Sequence, residues 1–295
     1  MVRRWNDRRK AGVRMRVHHE DDRSLGVSWS PANRAGWTFV YRGKPKPFFH
    51  PVTTPGGTGL TLSEPADHVW HRGHWFTIKY VNGENFWEET APFGTQRLVG
   101  DPTVTELDGD RVRLDLAIEW ISPTLQEPVI RETRSITSWV DGDGLVFDWD
   151  LSLVPRIDVV LDRTPFTTWG GYSGVSFRGR PDWTISRALF PDEVEERVPP
   201  GKRAAWCDVS GTVGDTGVSA GVTMLDHPEN PRHPTPWYGG GANSGNFLNA
   251  ACLFAEPMSL GAGEPLRLRY RVLAHDGIWE RAAIERHAMV FREAR

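Results

Sequence analysis

The chain is short of cysteine, of charge imbalance and of long apolar runs, and each shortage closes off a class of function. Two cysteines, Cys207 and Cys252, in 295 residues cannot build a disulfide framework. Neither has a metal-binding or redox spacing, so both are read as buried thiols of a cytoplasmic protein, a single bond between them being the alternative. The net charge is −3, with no basic excess to neutralise phosphates, which argues against a nucleic-acid partner. No stretch approaches the roughly 20 apolar residues of a membrane-spanning helix, and no membrane partner is expected. The amino-terminal run MVRRWNDRRKAGVRMR is basic but leads into no apolar segment, so it is not a secretory signal. Residues 1–12 are read as a mobile basic tail and 13–295 as one domain.

What is present points to β structure. Hydrophobic residues make up 39% and charged residues 25%, ordinary for a chain that buries a core. The 30 glycines and 22 prolines favour many turns between short strands. Alternation is clean over Arg111–Ile121, with Val112, Leu114, Leu116, Ile118 and Trp120 on one side and charges on the other. Glu132, Arg134 and Ser138 share a face in the next run, interrupted by Ile136. After the turn at Asp141-Gly142-Asp143-Gly144, alternation resumes through Leu145, Phe147, Trp149, Leu151 and Leu153. It recurs over Val218–Met224 and over Leu266–Val272, where Arg267, Arg269 and Arg271 form a solvated or ion-paired face. Only the carboxyl terminus has helical spacing: Asp276 is the expected N-cap, and Trp279, Ala283, His287 and Val290 or Phe291 the buried stripe over a sheet edge or mouth. The fold class is all-β, a large antiparallel β-sandwich with a short C-terminal helix.

Polar and aromatic residues crowd into five segments: KPFFHP with the glycine-rich run after it, DHVWHRGHWF, VNGENFW, TWGGYSG and DHPENPRHPTPWY. They hold six of the ten histidines: His50, His68, His71, His74, His227 and His233. Histidine moves protons near neutral pH, bonds hydroxyls and ligates metals. A single histidine beside proline ordinarily braces a loop, but several interleaved with tryptophan and arginine point to a site. His68, His71 and Arg72 are the candidate catalytic residues: an imidazole to move a proton and a guanidinium to hold developing negative charge. The alternative for Arg72 is an ion pair with Asp67 or Glu64. His50, Asn82, His227 and His233 are candidate polar contacts, and Trp169, Tyr172 and Trp237 candidate stacking surfaces for a pyranose, together with Tyr238. His74 reads as a strand-start residue without a special role. No cofactor is expected, although His68-x-x-His71 with a further histidine leaves a divalent metal open. Gly239-Gly240-Gly241 neither follows a strand nor opens a helix, and is read as a loop.

The motifs KPFFHPVTTPGG, DHVWHRGHWF, VNGENFW, GGYSG, WCDVSG, DHPENPRHPTPWY and YRVLAHDG, from Tyr41 to Gly277, resemble those of the bacterial PmoA family. That name comes from a methane monooxygenase subunit with several spanning helices, which this chain has no runs to build. The resemblance implies a soluble all-β protein associated with carbohydrate catabolism and carries over no reaction. Members often place two histidines before Arg-Gly; Trp70 stands at the first of these positions, which weakens the metal reading. FFHP is also similar to the histidine loop of aldose-epimerase-type supersandwiches. The expected function is a carbohydrate-processing enzyme using histidine acid–base chemistry, most specifically elimination or hydrolysis of an oxidised glycoside. The alternatives are a sugar mutarotase or epimerase, a non-catalytic carbohydrate-binding protein, or a metal hydrolase.

Overall fold

A computed structural model describes residues 14–30, 34–164, 171–240 and 246–294. The tail at 1–12 and Trp169 lie outside these residues. Strands dominate, all paired antiparallel, in two large sheets and a small one. The nine-stranded sheet runs, in spatial order, through Arg14–His19, Ser24–Ser30, Gly36–Val40, Phe48–Thr53, His74–Thr77, Gly174–Arg178, Phe247–Ala250, Pro236–Gly240 and Lys202–Arg203. The ten-stranded sheet centres on the long strands Arg111–Ile121, Pro128–Asp141, Gly144–Pro155 and Leu266–Asp276. One core of buried apolar side chains joins the two, from Phe39, Phe49 and Phe76 to Leu114, Phe147 and Trp149. The all-β reading therefore holds, and the alternating runs are strands with the expected faces inward. No helix among the described residues is long and apolar enough to cross a membrane. Both cysteines are buried and free.

The run over Pro128–Asp141 departs from expectation in an instructive way. Its inward positions are Glu132, Arg134, Ile136 and Ser138, all buried, so Ile136 continues their face instead of interrupting it. Charged residues enter the core here as a pair, each offsetting the other's charge. Arg134 Nε donates to Glu132 Oε1 at 2.6 Å, and Trp120 Nε1 donates to Glu132 Oε2 at 2.7 Å. The guanidinium also lies over the Phe76 and Trp149 rings, at 5.6 and 5.4 Å. Trp37 Nε1 reaches Ser138 Oγ at 3.1 Å from the other sheet.

Helix α1 spans Arg281–Glu293, later than the spacing predicts. Asp276 does not cap it; its carboxylate accepts from Thr54 Oγ1 and the Gly56 amide, tying the two sheets' loops together. The buried stripe is Ile284, Ala288 and Phe291, which cover Val146, Leu189, Trp206, Leu225 and Leu273 on the outer face of the ten-stranded sheet. The helix thus lies on a sheet face, where apolar residues await cover, and not at an edge. Arg271 on that face is locked to Asp148 by bonds of 2.6 and 2.8 Å, as the ion-paired reading requires. Gly239 and Gly240 end a strand; a side chain at Gly239 would meet Val198 at 2.8 Å, so close packing explains this glycine.

Removing one partner of the core ion pair leaves a buried charge without compensation. Glu132→Ala is expected to lower unfolding free energy by about 3–5 kcal/mol, measured by urea denaturation. Replacing Glu132 and Arg134 together by methionine is expected to recover much of that loss. A double variant no more stable than Glu132→Ala would show that the pair does not act as a unit.

Candidate functional site

The site stands on the outer face of the nine-stranded sheet, and the pleat builds it. Register aligns Phe49, His74, Phe177 and Leu248 in one row across four strands, all facing the core. The adjacent row, Phe48, Trp75, Ser176, Asn249 and Tyr238, must then face outward. Phe48, Trp75 and Phe247 join Trp87 in a second buried cluster separate from the core, with Trp70, Tyr172 and Tyr238 half-buried around it. His74 belongs to the core row. It accepts from Trp149 Nε1 at 3.0 Å and lies 2.9 Å from the Ser176 carbonyl, and burial lowers its pKa to about 4.

A chain of alternating charges pins the loops to this layer. Lys46 Nζ donates to Glu89 Oε1 and to the Trp87 carbonyl, each at 2.9 Å. Arg72 Nε donates to the same carboxylate at 3.1 Å, and its guanidinium also pairs with Glu64, which Lys44 meets at 2.6 Å. Arg72 is buried over Phe48 with two carboxylates on it. It is therefore a brace, as its ion-pair alternative held, and not a free cation awaiting an oxyanion. Beside it Lys79 pairs with Glu88, whose other oxygen accepts from the Tyr172 hydroxyl at 3.1 Å. Burial brings Lys46 down to about 8 against the opposing pull of Glu89; burial, aided by Lys46, does the same to Lys79.

His68 and His71 lie together, ring centroids 4.8 Å apart, but in different environments. His68 is half-exposed, its Nδ1 2.7 Å from Asp67 Oδ2 and its ring edge-on to Trp70 at 5.4 Å. His71 is buried among Trp75, Trp87 and Phe247, with Arg178 Nη1 3.4 Å from its Nδ1. A guanidinium only donates, so Nδ1 is the acceptor and the ring proton sits on Nε2. Burial, then the Arg178 charge, hold the His71 pKa down to about 2. Arg178 Nη2 also reaches Asp67 Oδ2 at 3.2 Å, joining both imidazoles in one network. Asp67 itself loses some of its acidity to burial, but the bond from His68 and the charge of Arg178 outweigh this and lower its pKa.

The remaining sequence candidates separate. His50, two residues along its strand from Phe48, has its Nδ1 2.9 Å from Thr61 Oγ1, and Tyr172 packs at a tilt against Trp87, ring centres 4.8 Å apart, inside the site. Asn82 instead closes a surface turn in the left-handed region, accepting from Val160 N at 2.7 Å and donating to the Asp158 carbonyl. Trp237 faces the core with its indole on the Ala204 carbonyl, because its outward neighbour in the pleat is Tyr238. His227 packs edge-on against Phe291 of α1 and meets Arg269, on the surface of the other sheet. His233 braces its loop through Asp226 at 2.7 Å, whose carboxylate also holds Asn230 and the Thr235 amide. Asn82, Trp237, His227 and His233 thus do not join the cluster. Among the described residues, no three His, Cys, Asp or Glu side chains gather as a metal site. Glu88, Glu89 and Arg178 went unremarked in the sequence. Their signals were two acids directly after Trp87, and an arginine alternating with Phe177 in an otherwise apolar strand.

A family model described as a family of unknown function (DUF6807) matches residues 27–289. No curated protein matches. Among solved structures, the galactosidase domain of α-galactosidase–sucrose kinase AgaSK is similar over 89% of this chain and 42% of that one, at 8% identity and TM-score 0.47. The α-galactosidase from Lactobacillus brevis is similar over 87% and 40%, at 10% identity and TM-score 0.45. The A355E form of AgaA, a GH36 α-galactosidase from Geobacillus stearothermophilus, gives 83% and 40%, 10% and 0.42. The chain spans less than half the length of these solved chains.

Two outcomes are expected from this electrostatics. Nitrogen-resolved NMR is expected to show His71 neutral, protonated on Nε2, at every pH above about 4; a doubly protonated ring at pH 6 would refute the assignment. Lys46 binds its proton more weakly folded, at about 8, than unfolded, at its ordinary 10.5. The unfolded chain therefore holds more protons between those values, and stability rises with pH across that window, by up to about 1.4 kcal/mol per pH unit from this residue. Urea denaturation at pH 7.5 and 9.5 is expected to show a smaller rise for Lys46→Met; an unchanged slope would contradict the burial effect.

Proposed function

The chain belongs to DUF6807, a family of unknown function, and from that premise we propose a carbohydrate-processing enzyme whose active site is this outer aromatic layer. One observation carries the proposal: an Asp67–His68 dyad, half-exposed, stands beside a buried His71 that accepts from Arg178, at the edge of a shelf of indole and phenol rings. Half-buried Trp70, Tyr172 and Tyr238 offer faces for the C–H side of a pyranose, while the polar groups around them suit its hydroxyls.

Of the reactions such a site supports, elimination or hydrolysis of an oxidised glycoside uses both imidazoles best. A ring carbonyl acidifies the neighbouring C–H bond. His68, oriented through Nδ1 by Asp67, takes that proton on Nε2. The bonding electrons flow to the carbonyl oxygen, which accepts from the His71 Nε2–H; an imidazole too acidic to gain a second proton serves as a neutral electrophile. Collapse of the enolate breaks the C–O bond, and the departing oxygen takes the proton back from His68. Water added to the unsaturated product completes hydrolysis. Arg178 keeps His71 in the donating tautomer, and Arg72 with Lys46 holds the Glu89 loop over the shelf.

The test is turnover of an aryl glycoside oxidised at a ring carbon. His68→Ala is expected to lower kcat by about 10²- to 10⁴-fold with the melting temperature unchanged. Full activity in that variant would remove His68 from the mechanism. Anomer exchange without release of the aryl alcohol would indicate a mutarotase, and binding without any transformation a sugar-binding protein.

A further inference from the structure

Away from this site, a cleft of about 790 Å³ opens between α1 and the outer face of the ten-stranded sheet. Its floor is Trp139, half-buried, with the Arg111 guanidinium carbon 4.8 Å and that of Arg271 5.2 Å from the indole centre. The two guanidinium groups therefore lie within about 10 Å of each other, both against the one indole. Arg286 and His287 line the helix wall, and His287 stacks on Trp279 at 5.3 Å with 4° between planes. The volume falls within the range of small-molecule sites.

The charges decide what fits. Asp148 has both oxygens on Arg271, which also donates to the His287 carbonyl, so this arginine is fixed in place. Asp141 and Asp143 also line the cleft, at the exposed hairpin turn on its rim, where Asp141 Oδ2 lies 3.8 Å from His287 Nδ1. Among the described residues, Arg111 and Arg286 have no carboxylate within ion-pair distance. A guanidinium resting on an indole has shed water from one face and presents its donor edge, at low desolvation cost, to a planar or tetrahedral oxyanion. The indole faces carry arginines or histidines already, which leaves hydrogen bonding to an anion, and not ring stacking, as the cleft's means of recognition.

We infer that this cleft is a second ligand site, for a small molecule bearing a carboxylate or phosphate group, gripped by Arg111 over Trp139 with Arg286 opposite. It lies on the other sheet from the proposed sugar site, so it stands whether or not that reading does.

Thermal unfolding of the whole chain tests this with inorganic phosphate, glucuronate and, as a neutral control, glucose. Phosphate and glucuronate are each expected to raise Tm saturably, by about 2–5 °C at concentrations up to about 10 mM, whereas glucose is not. Arg111 is exposed at the end of its strand, so Arg111→Ala is expected to fold with an unchanged Tm and to lose the rise for both anions. A rise that survives in Arg111→Ala, or none with either anion, overturns the assignment. Glucuronate stabilisation that survives Arg111→Ala but vanishes in Trp70→Ala would place the anion in the sugar site instead.

Discussion

A pleated strand turns neighbouring side chains to opposite faces, and the four residues His74–Thr77 must obey that rule inside a sheet covered on both sides. His74 goes to the core, where Trp149 and the Ser176 carbonyl satisfy its two nitrogens. Trp75 then has nowhere to go but outward, and the residues in register with it follow: Phe48, Ser176, Asn249 and Tyr238. The core and the site are two sides of one sheet. A slip of one residue in any of these strands would exchange them, which is why the inward row is so heavily aromatic and so completely buried.

Upon that outward row the loops are held by charge, not by apolar contact alone. Glu89 is shared by Lys46 and Arg72, and Arg72 in turn by Glu64. Buried ions of this kind add little stability in themselves, because desolvation offsets attraction, but they tolerate few alternative arrangements. The same economy governs Glu132 and Arg134 between the sheets. In both places the charged groups define which surfaces meet, and in the site they also hold His71 neutral, through Arg178 and burial, while His68 stays open to solvent.

The sandwich was legible because its long strands alternate with a period that only a half-buried sheet requires. The segment DHVWHRGHWF was legible as a candidate site because loop bracing does not account for so many imidazoles among aromatics and cations. His68 and His71 do lie together there, and Trp87 links them to Tyr172. His227 and His233 were inseparable from them by residue type, since a histidine next to proline reads the same whether it faces a ligand or a buried aspartate. Trp237 and Tyr238 show the limit most plainly: adjacent, both aromatic, both able to stack, and sent to opposite faces by the pleat.

Composition and periodicity by themselves determined the fold class, the inward faces of the cleanly alternating strands and the crowding of histidines near Trp70, because local backbone geometry and the aversion of apolar groups to water act residue by residue. Only tertiary structure decided which histidines share a surface, that Arg72 is spent on carboxylates, that Lys46 and Lys79 are buried, and that His71 stays neutral. Each of these depends on strands up to a hundred residues apart being brought into register, and on the low dielectric that their packing creates.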